Sequence, residues 1–239
     1  MIRLDKWICD NLNKTRKEAK DYVRSNNIVI DGVKIKDSDY KFDPYESEII
    51  INDKIMSSKP EYTYIMLNKP AGYVSANIDN IHKTVFELLP NEYKDYSIVG
   101  RLDIDTEGLL LITNDGQLNH KITSPKHHFD KTYLVITDTQ CTEDDVKKVE
   151  EGFEYGEDKP SLPGRLNILN NADKVYMAEI TIHEGKFHQV KKMMHTLGHE
   201  VTYLKRISMG PITLPESLEI GKWRLLSDEE IRKIEEYNV

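Results

Sequence analysis

The order of apolar and polar positions divides the chain into a short helical start and a longer strand-rich remainder. Leu4, Trp7, Ile8 and Leu12 recur at helical spacing, so residues 2–12 read as one amphipathic helix. Thr15 followed three positions later by Glu18 is a capping-box signature for a second helix. Its Ala19, Tyr22 and Val23 face inward, and Lys17, Lys20 and Arg24 share the other side. Asp31-Gly32 between two short β-branched runs marks a tight hairpin, and residues 47–51 read as a further strand. The stretch "MSSKPEY" at 56–62 breaks the pattern as a linker. The expected organisation is a small first domain, residues 1–58, and a larger second one, residues 59–239.

In the second part strand patterns dominate. "YTYIMLNK" runs into a Pro-Ala-Gly turn, and Leu109-Leu110-Leu111-Ile112 is a continuous apolar run of strand length closed by Asn114-Asp115-Gly116. Further strands are expected at 131–137, 165–169, 175–182 and 200–208, with "NNADK" joining the second and third of these. Helices are expected at 84–89, stopped by Pro90; at 142–151, with Thr142 and Asp145 forming a cap; at 187–197, ended by Gly198; and from Ser227 to Tyr237. Residues 152–164, rich in Gly, Pro and acids, read as a loop. Strands separated by hairpins and occasional helices predict an α+β fold with a largely antiparallel mixed sheet.

Composition narrows the class. No apolar run approaches the roughly 20 residues a membrane helix needs, and the charged N-terminal stretch does not resemble a signal peptide. Cys9 and Cys141 are far apart and form no C-x-x-C pair, which points to a reducing, cytoplasmic setting without a zinc site. The formal net charge of −8 hides a strong asymmetry. Residues 143–158 carry eight acids against Lys147 and Lys148, and the last helix is acidic too. Basic clusters remain at 14–24 (Lys14, Arg16, Lys17, Lys20, Arg24) and at 183–206, where Lys186, Lys191, Lys192, Lys205 and Arg206 lie among four histidines. Local clusters rather than total charge decide phosphate binding.

Three stretches carry candidate chemistry. Asp103, in Gly-Arg-Leu-Asp, precedes the Leu109 strand; an aspartate there also suits an ordinary turn. Lys191 and Lys192, in "EGKFHQVKKM", sit on the first turns of a helix and could set a cation against that carboxylate. Neighbours on a helix are about 100° apart, so only one of them can point inward. Tyr133 could stack on a base or simply fill the core. Metal and triad arrangements fare worse. His127 and His128 are adjacent, Gly198 separates His195 from His199, and no nucleophile elbow or phosphate-cradling Gly loop occurs.

Together, "LNKPAGYVSA", "GRLDIDTEGLLLITNDG", "HKITSPKHHFDKTYLV" and "EGKFHQVKKMMHTLGHEV" resemble the ordered motifs of the RsuA-type pseudouridine synthases. "RLDKWI", "TRKEAKDYV" and "VIDGVKI" are similar to the alpha-L RNA-binding module found in a small-subunit ribosomal protein. The resemblance covers essentially the whole chain. It implies isomerisation of a specific uridine to pseudouridine in ribosomal RNA, without cofactor or metal. The implied substrate is small-subunit RNA in a partly assembled particle, met by a monomeric, cytoplasmic enzyme. The lack of a long basic tail after "MGPITL" fits that substrate better than large-subunit RNA. By the same resemblance Asp103 is the catalytic aspartate, Tyr133 the stacking tyrosine and Lys191 its basic partner, where many relatives have arginine. Lysine keeps the charge but cannot make a two-toothed bond to a carboxylate. Leu204 falls where an apolar residue packs under the base. Arg101, Lys69, His188 and Gln189 are expected to face RNA in this part, and Arg16, Lys17, Lys20 and Arg24 in the N-terminal module. Two other readings are a non-catalytic ribosome assembly factor and a glycoside hydrolase using Asp103 and Glu107.

Overall fold

The computed structural model describes residues 1–44, 47–57, 62–124, 129–169 and 175–237. The chain forms two compact units, Met1–Glu61 and Tyr62–Val239.

In the first unit a two-residue strand β1 (Ile2–Arg3) precedes helices α1 (Leu4–Leu12) and α2 (Arg16–Ser25). Strands β2 (Ile28–Ile30), β3 (Val33–Ile35), β4 (Lys41–Phe42), β5 (Ile49–Ile51) and β6 (Lys54–Ser57) follow. The first helix starts two residues later than its apolar spacing suggests, because Ile2 and Arg3 pair with Phe42 and Lys41. The Leu4 and Asp5 amides, free at the helix start, donate to the Tyr40 and Ser38 carbonyls. The capping box of Thr15 and Glu18 opens α2. Asp31 (φ +49°) and Gly32 (φ +78°) make the hairpin between β2 and β3, since both central positions of such a turn need positive φ. Leu4, Trp7, Ile8, Ala19, Val23, Ile28, Ile49 and Phe42 close one core.

The second unit is built on strands β7 (Tyr64–Lys69), β8 (Tyr73–Val74), β9 (Lys83–Thr84), β10 (Ser97–Val99) and β11 (Glu107–Thr113), then helix α3 (Gly116–Thr123). Strand β12 (Lys131–Thr137), helix α4 (Glu143–Glu151), strands β13 (Arg165–Ile168) and β14 (Tyr176–Ile182) and helix α5 (Gln189–Thr196) come next. Strands β15 (Val201–Met209), β16 (Ile212–Thr213) and β17 (Trp223–Leu225) and helix α6 (Asp228–Glu236) complete it. The main sheet runs β13-β14-β12-β15-β11-β7-β17, antiparallel at every step except the β11–β15 join.

The continuous apolar run reads as strand because β11 is covered on both faces. Leu110 and Ile112 pack into one core with Ile65, Leu67, Val135 and Met194, and Leu109 and Leu111 into a second with Met66, Phe129 and Met209. Gly108 makes the parallel join possible. Its φ is +100°, and a Cβ there would lie 2.2 Å from the Arg206 carbonyl oxygen.

Three further local expectations change. Asn114-Asp115-Gly116 is not only a turn; the Asp115 carboxylate caps α3 by accepting from the Gln117 and Leu118 amides. Turn and N-cap positions favour the same residue types, so composition alone could not separate them. Residues 85–88 form a 3₁₀ turn rather than an α-helix. Helix α5 begins at Gln189, because His188 adopts left-handed φ +54° and ψ 30°. The connection at residues 170–174 and the pair His127-His128 lie outside the described residues.

Candidate active site

The catalytic candidates meet on one loop, one strand face and one helix start. The loop before β11 is held from below by Lys69, whose side chain is buried at the end of β7. Its Nζ donates to the carbonyls of Pro70, Asp103 and Thr106 at 2.8–3.1 Å, with the Ile104 carbonyl at 3.4 Å. Burial pushes Lys69 down to about 8, against the pull of Asp105, Asp103 and Glu107. The Ser75 hydroxyl accepts from the Leu102 amide and donates to its carbonyl, and the Gly72 amide donates to Ile104. With its backbone pinned at four residues, the loop presents the Asp103 carboxylate on the other side. Lys69 is therefore corrected from an RNA contact to an internal brace: a fully buried ammonium offers no surface to RNA.

Asp103 is 28% exposed, a carboxylate at a cleft wall rather than in a sealed core. Lys191 Nζ lies 3.3 Å from its Oδ2, and His188 Nε2 lies 3.6 Å from its Oδ1. Lys191 also reaches Asp105 Oδ1 at 2.6 Å, a contact not anticipated in the sequence. Partial desolvation pushes Asp105 up, but the Lys191 hydrogen bond and charge outweigh it and hold the carboxyl below its usual range. Asp105 thus shares the cation, and it is the carboxylate at hand, whereas Glu107 is engaged by the Tyr203 hydroxyl at 2.8 Å.

The adjacent lysines diverge as helix geometry requires. Val190, Met193 and Met194 bury one side of α5. Lys191 turns to Asp103, while Lys192 pairs with Glu157 in the acidic loop instead of standing free for phosphate. Leu197, just past the helix end, is only partly covered, and Met193 fills the core.

An open cleft is lined by Arg101, Asp103, Thr106, Tyr133, Lys191 and Leu204. Tyr133 and Leu204 serve both core and cleft: each is over nine-tenths buried, yet each lines its wall. Tyr133 pairs across the sheet with Arg206, and Leu204 with Val135, so all four side chains share one sheet face. Arg101 is exposed at the rim. Gln189 lines the cleft but is spent locally, donating to Glu184 at 2.7 Å and accepting from the Lys186 amide at 3.0 Å; it is corrected from an RNA contact to a clamp on the turn.

The basic stretch at 183–206 is less available than its charge suggests. Arg206 is buried, its Nε donating to the Leu109 carbonyl at 2.7 Å. His183 faces Asp130, His195 faces Glu200, and buried His199 bridges Thr139 and Asp145. In the first unit Arg16, Lys17 and Lys20 line a concave surface with Arg3 and Asp5. Arg24 lies outside that lining, 3.8 Å from Asp21. Among the described residues no cluster of three or more His, Cys, Asp or Glu side chains could hold a metal ion, and no helix is long and apolar enough to cross a membrane.

A carboxylate beside a cation, in an open cleft walled by a tyrosine and a leucine, is an arrangement in which an acidic group can act on a flat ring. Residues 63–196 match the family described as RNA pseudouridylate synthase. The chain is 40% identical over 236 residues to the ribosomal small subunit pseudouridine synthase A of Haemophilus influenzae, covering 98% of this chain and 99% of that one. It is 39% identical over 237 residues to an uncharacterized RNA pseudouridine synthase, YtzG, of Bacillus subtilis, covering 98% and 99%. A crystal structure of a pseudouridylate synthase, 38% identical, superposes with a TM-score of 0.69 over 98% of this chain and 100% of that one. This chain belongs to the RNA pseudouridine synthase family and is an isomerase of uridine in RNA.

Proposed function

We propose that the enzyme modifies one uridine in small-subunit ribosomal RNA, with Asp103 as the catalytic carboxylate. The observation that carries the substrate is the end-to-end likeness to enzymes named ribosomal small subunit pseudouridine synthase A, in Haemophilus influenzae and in Vibrio cholerae at 40% identity each. The geometry supports the roles. Isomerisation breaks the bond between N1 and C1′, turns the uracil, and joins C5 to C1′; C5 gives up a proton and N1 gains one. Composition is unchanged, so no oxidant or energy source is consumed. Asp103 supplies the nucleophile, whether to sugar or ring. Lys191 sets a compensating positive charge against that carboxylate once RNA covers the cleft and removes water. The target base must first leave its stack; Tyr133 then offers it a flat surface, and Leu204 packs beneath it. Arg101, at the rim, fills the vacated position in the RNA. Arg16, Lys17 and Lys20 of the N-terminal module hold backbone phosphates. The protein acts as a cytoplasmic monomer on a partly assembled small subunit.

The test is pseudouridine mapping on ribosomal RNA from cells lacking this enzyme, as naked RNA and as assembling particles, treated with wild type and Asp103→Asn. One new pseudouridine in the small-subunit RNA is expected with wild type and none with Asp103→Asn, at similar RNA affinity. A new site in the large-subunit RNA instead would overturn the substrate, and turnover by Asp103→Asn would overturn the role of the carboxylate.

A further inference from the structure

The turn between β14 and α5 carries an aromatic group that the chemistry above does not use. Phe187 is 73% exposed at the edge of the cleft. A single exposed apolar side chain means little by itself. Here the ring is not loose: it stacks on the His188 imidazole, with centroids 3.8 Å apart and planes 19° from parallel. That imidazole in turn stands 3.6 Å from Asp103. The turn holding both rings is closed by the Gln189 amide on the Lys186 carbonyl and by the Gln189 side chain on the Lys186 amide. His188 accepts a left-handed backbone, a conformation that is costly for a residue with a Cβ and persists where the surroundings over-determine it. Lys192, fixed by Glu157, sits 5.4 Å from the Phe187 centroid, so a cation marks the same spot.

We infer that Phe187, backed by His188, is a stacking platform for a nucleobase of the RNA that flanks the uridine entering the cleft. The inference rests on the RNA-modifying activity of the site and adds a second base-binding position to it. One face of the phenyl ring is covered by His188, and the residue remains 73% exposed between two residues, Lys186 and His188, that line the cleft. A purine or pyrimidine fits that plane regardless of sequence, and an unstacked nucleotide beside an extruded base needs such a surface. The rim Arg101 supplies positive charge for its phosphate. The same stack would tie the flanking nucleotide to His188, and so to the carboxylate, linking correct RNA seating to the geometry at Asp103.

The experiment compares Phe187→Ala, Phe187→Leu and Phe187→Trp in the full chain, with total ribosomal RNA from cells lacking the enzyme as probe. Filter binding gives Kd and single-turnover mapping gives rate. Loss of one aromatic stack should raise Kd roughly tenfold in the Ala variant and nearly as much in the Leu variant, which keeps apolar area but no ring. The Trp variant should bind like wild type, and its added indole fluorescence should be quenched by RNA when compared with wild type carrying only Trp7 and Trp223. Wild-type Kd in both Ala and Leu variants, or an indole signal at 187 unchanged by saturating RNA, would overturn the platform. If wild type binds the RNA but modifies none of it, the substrate assignment fails while the quenching and Kd comparison still decide the platform. Absence of any RNA binding by wild type would overturn both.

Discussion

At the scale of single residues, the site turns on which of two neighbouring lysines faces the carboxylate. Lys191 sits 3.3 Å from Asp103 and Lys192 is turned to Glu157. Lys191→Met should therefore lower single-turnover rate by roughly 10²-fold or more, the order seen when one charge-stabilising donor is removed. Lys191→Arg, which keeps the charge, should retain substantial rate, and Lys192→Met should act mainly on RNA binding. A rate defect confined to Lys192→Met would mean that α5 presents the other lysine. Lys69 is a different kind of residue. Lys69→Met keeps the stem but leaves buried carbonyls of the Asp103 loop without a donor, at about 1–3 kcal/mol for each one that water cannot reach. Both melting temperature and turnover should fall, with RNA affinity less affected; a variant as active and stable as wild type would refute the bracing role.

At the scale of elements, the helices hold by their ends. Ser227 and Glu230 form a capping box at α6, and the Glu230 carboxylate takes two bonds at 2.7 Å from Arg224 on β17. Those Arg224 bonds, against partial burial and helped by the Ser227 amide, hold Glu230 down at about 2, from 4.5. A depressed carboxylate stabilises the fold fully above its unfolded value and loses that contribution as pH falls through the folded one. Glu230→Gln should thus melt lower than wild type at pH 6 to 7, and the gap should close between about pH 4.5 and about pH 2. A gap that is constant over that range, measured by thermal denaturation, would show that the ion pair contributes nothing. The same elements show what could be read in advance. The boxes at Thr15, Thr142 and Ser227 are local, four residues long, and legible as letters. The start of α5 was not, because nothing local requires a histidine to take positive φ; the turn is over-determined by Gln189, Glu184 and the strand before it.

At the scale of the whole molecule, charge and covalent order part company. The basic stretch at 183–206 is largely engaged within the protein: Arg206 is buried and all four of its histidines face carboxylates. The α2 face of the first unit, by contrast, keeps Arg16, Lys17 and Lys20 exposed around a concave surface. Each phosphate contact made there should steepen the dependence of binding on salt. Removing residues 1–61 should weaken RNA binding and flatten the slope of log K against log salt, while residues 62–239, with two cores of their own, retain their circular dichroism. An unchanged slope would mean that the module contacts something other than phosphate.

The sequence by itself determined the elements whose causes are local: the helix caps, the Asp31-Gly32 hairpin, the double-faced apolar strand at Leu109, and the helical step that sends Lys191 and Lys192 apart. It also carried the ordered motifs that mark the family. Tertiary structure decided what depends on residues distant in the chain. Lys69 and Lys191 are both lysines near glycine-containing turns in the string of letters. One is drawn under the Asp103 loop because the end of β7 lies beneath four carbonyls, and the other reaches over it because α5 begins across the cleft. The sharing of Lys191 with Asp105, the capture of Lys192 by Glu157 and the burial of Arg206 have the same origin. Whether a charge meets water, RNA or a partner is set by the surface that folding leaves around it, and that surface is assembled from strands and loops far apart in sequence.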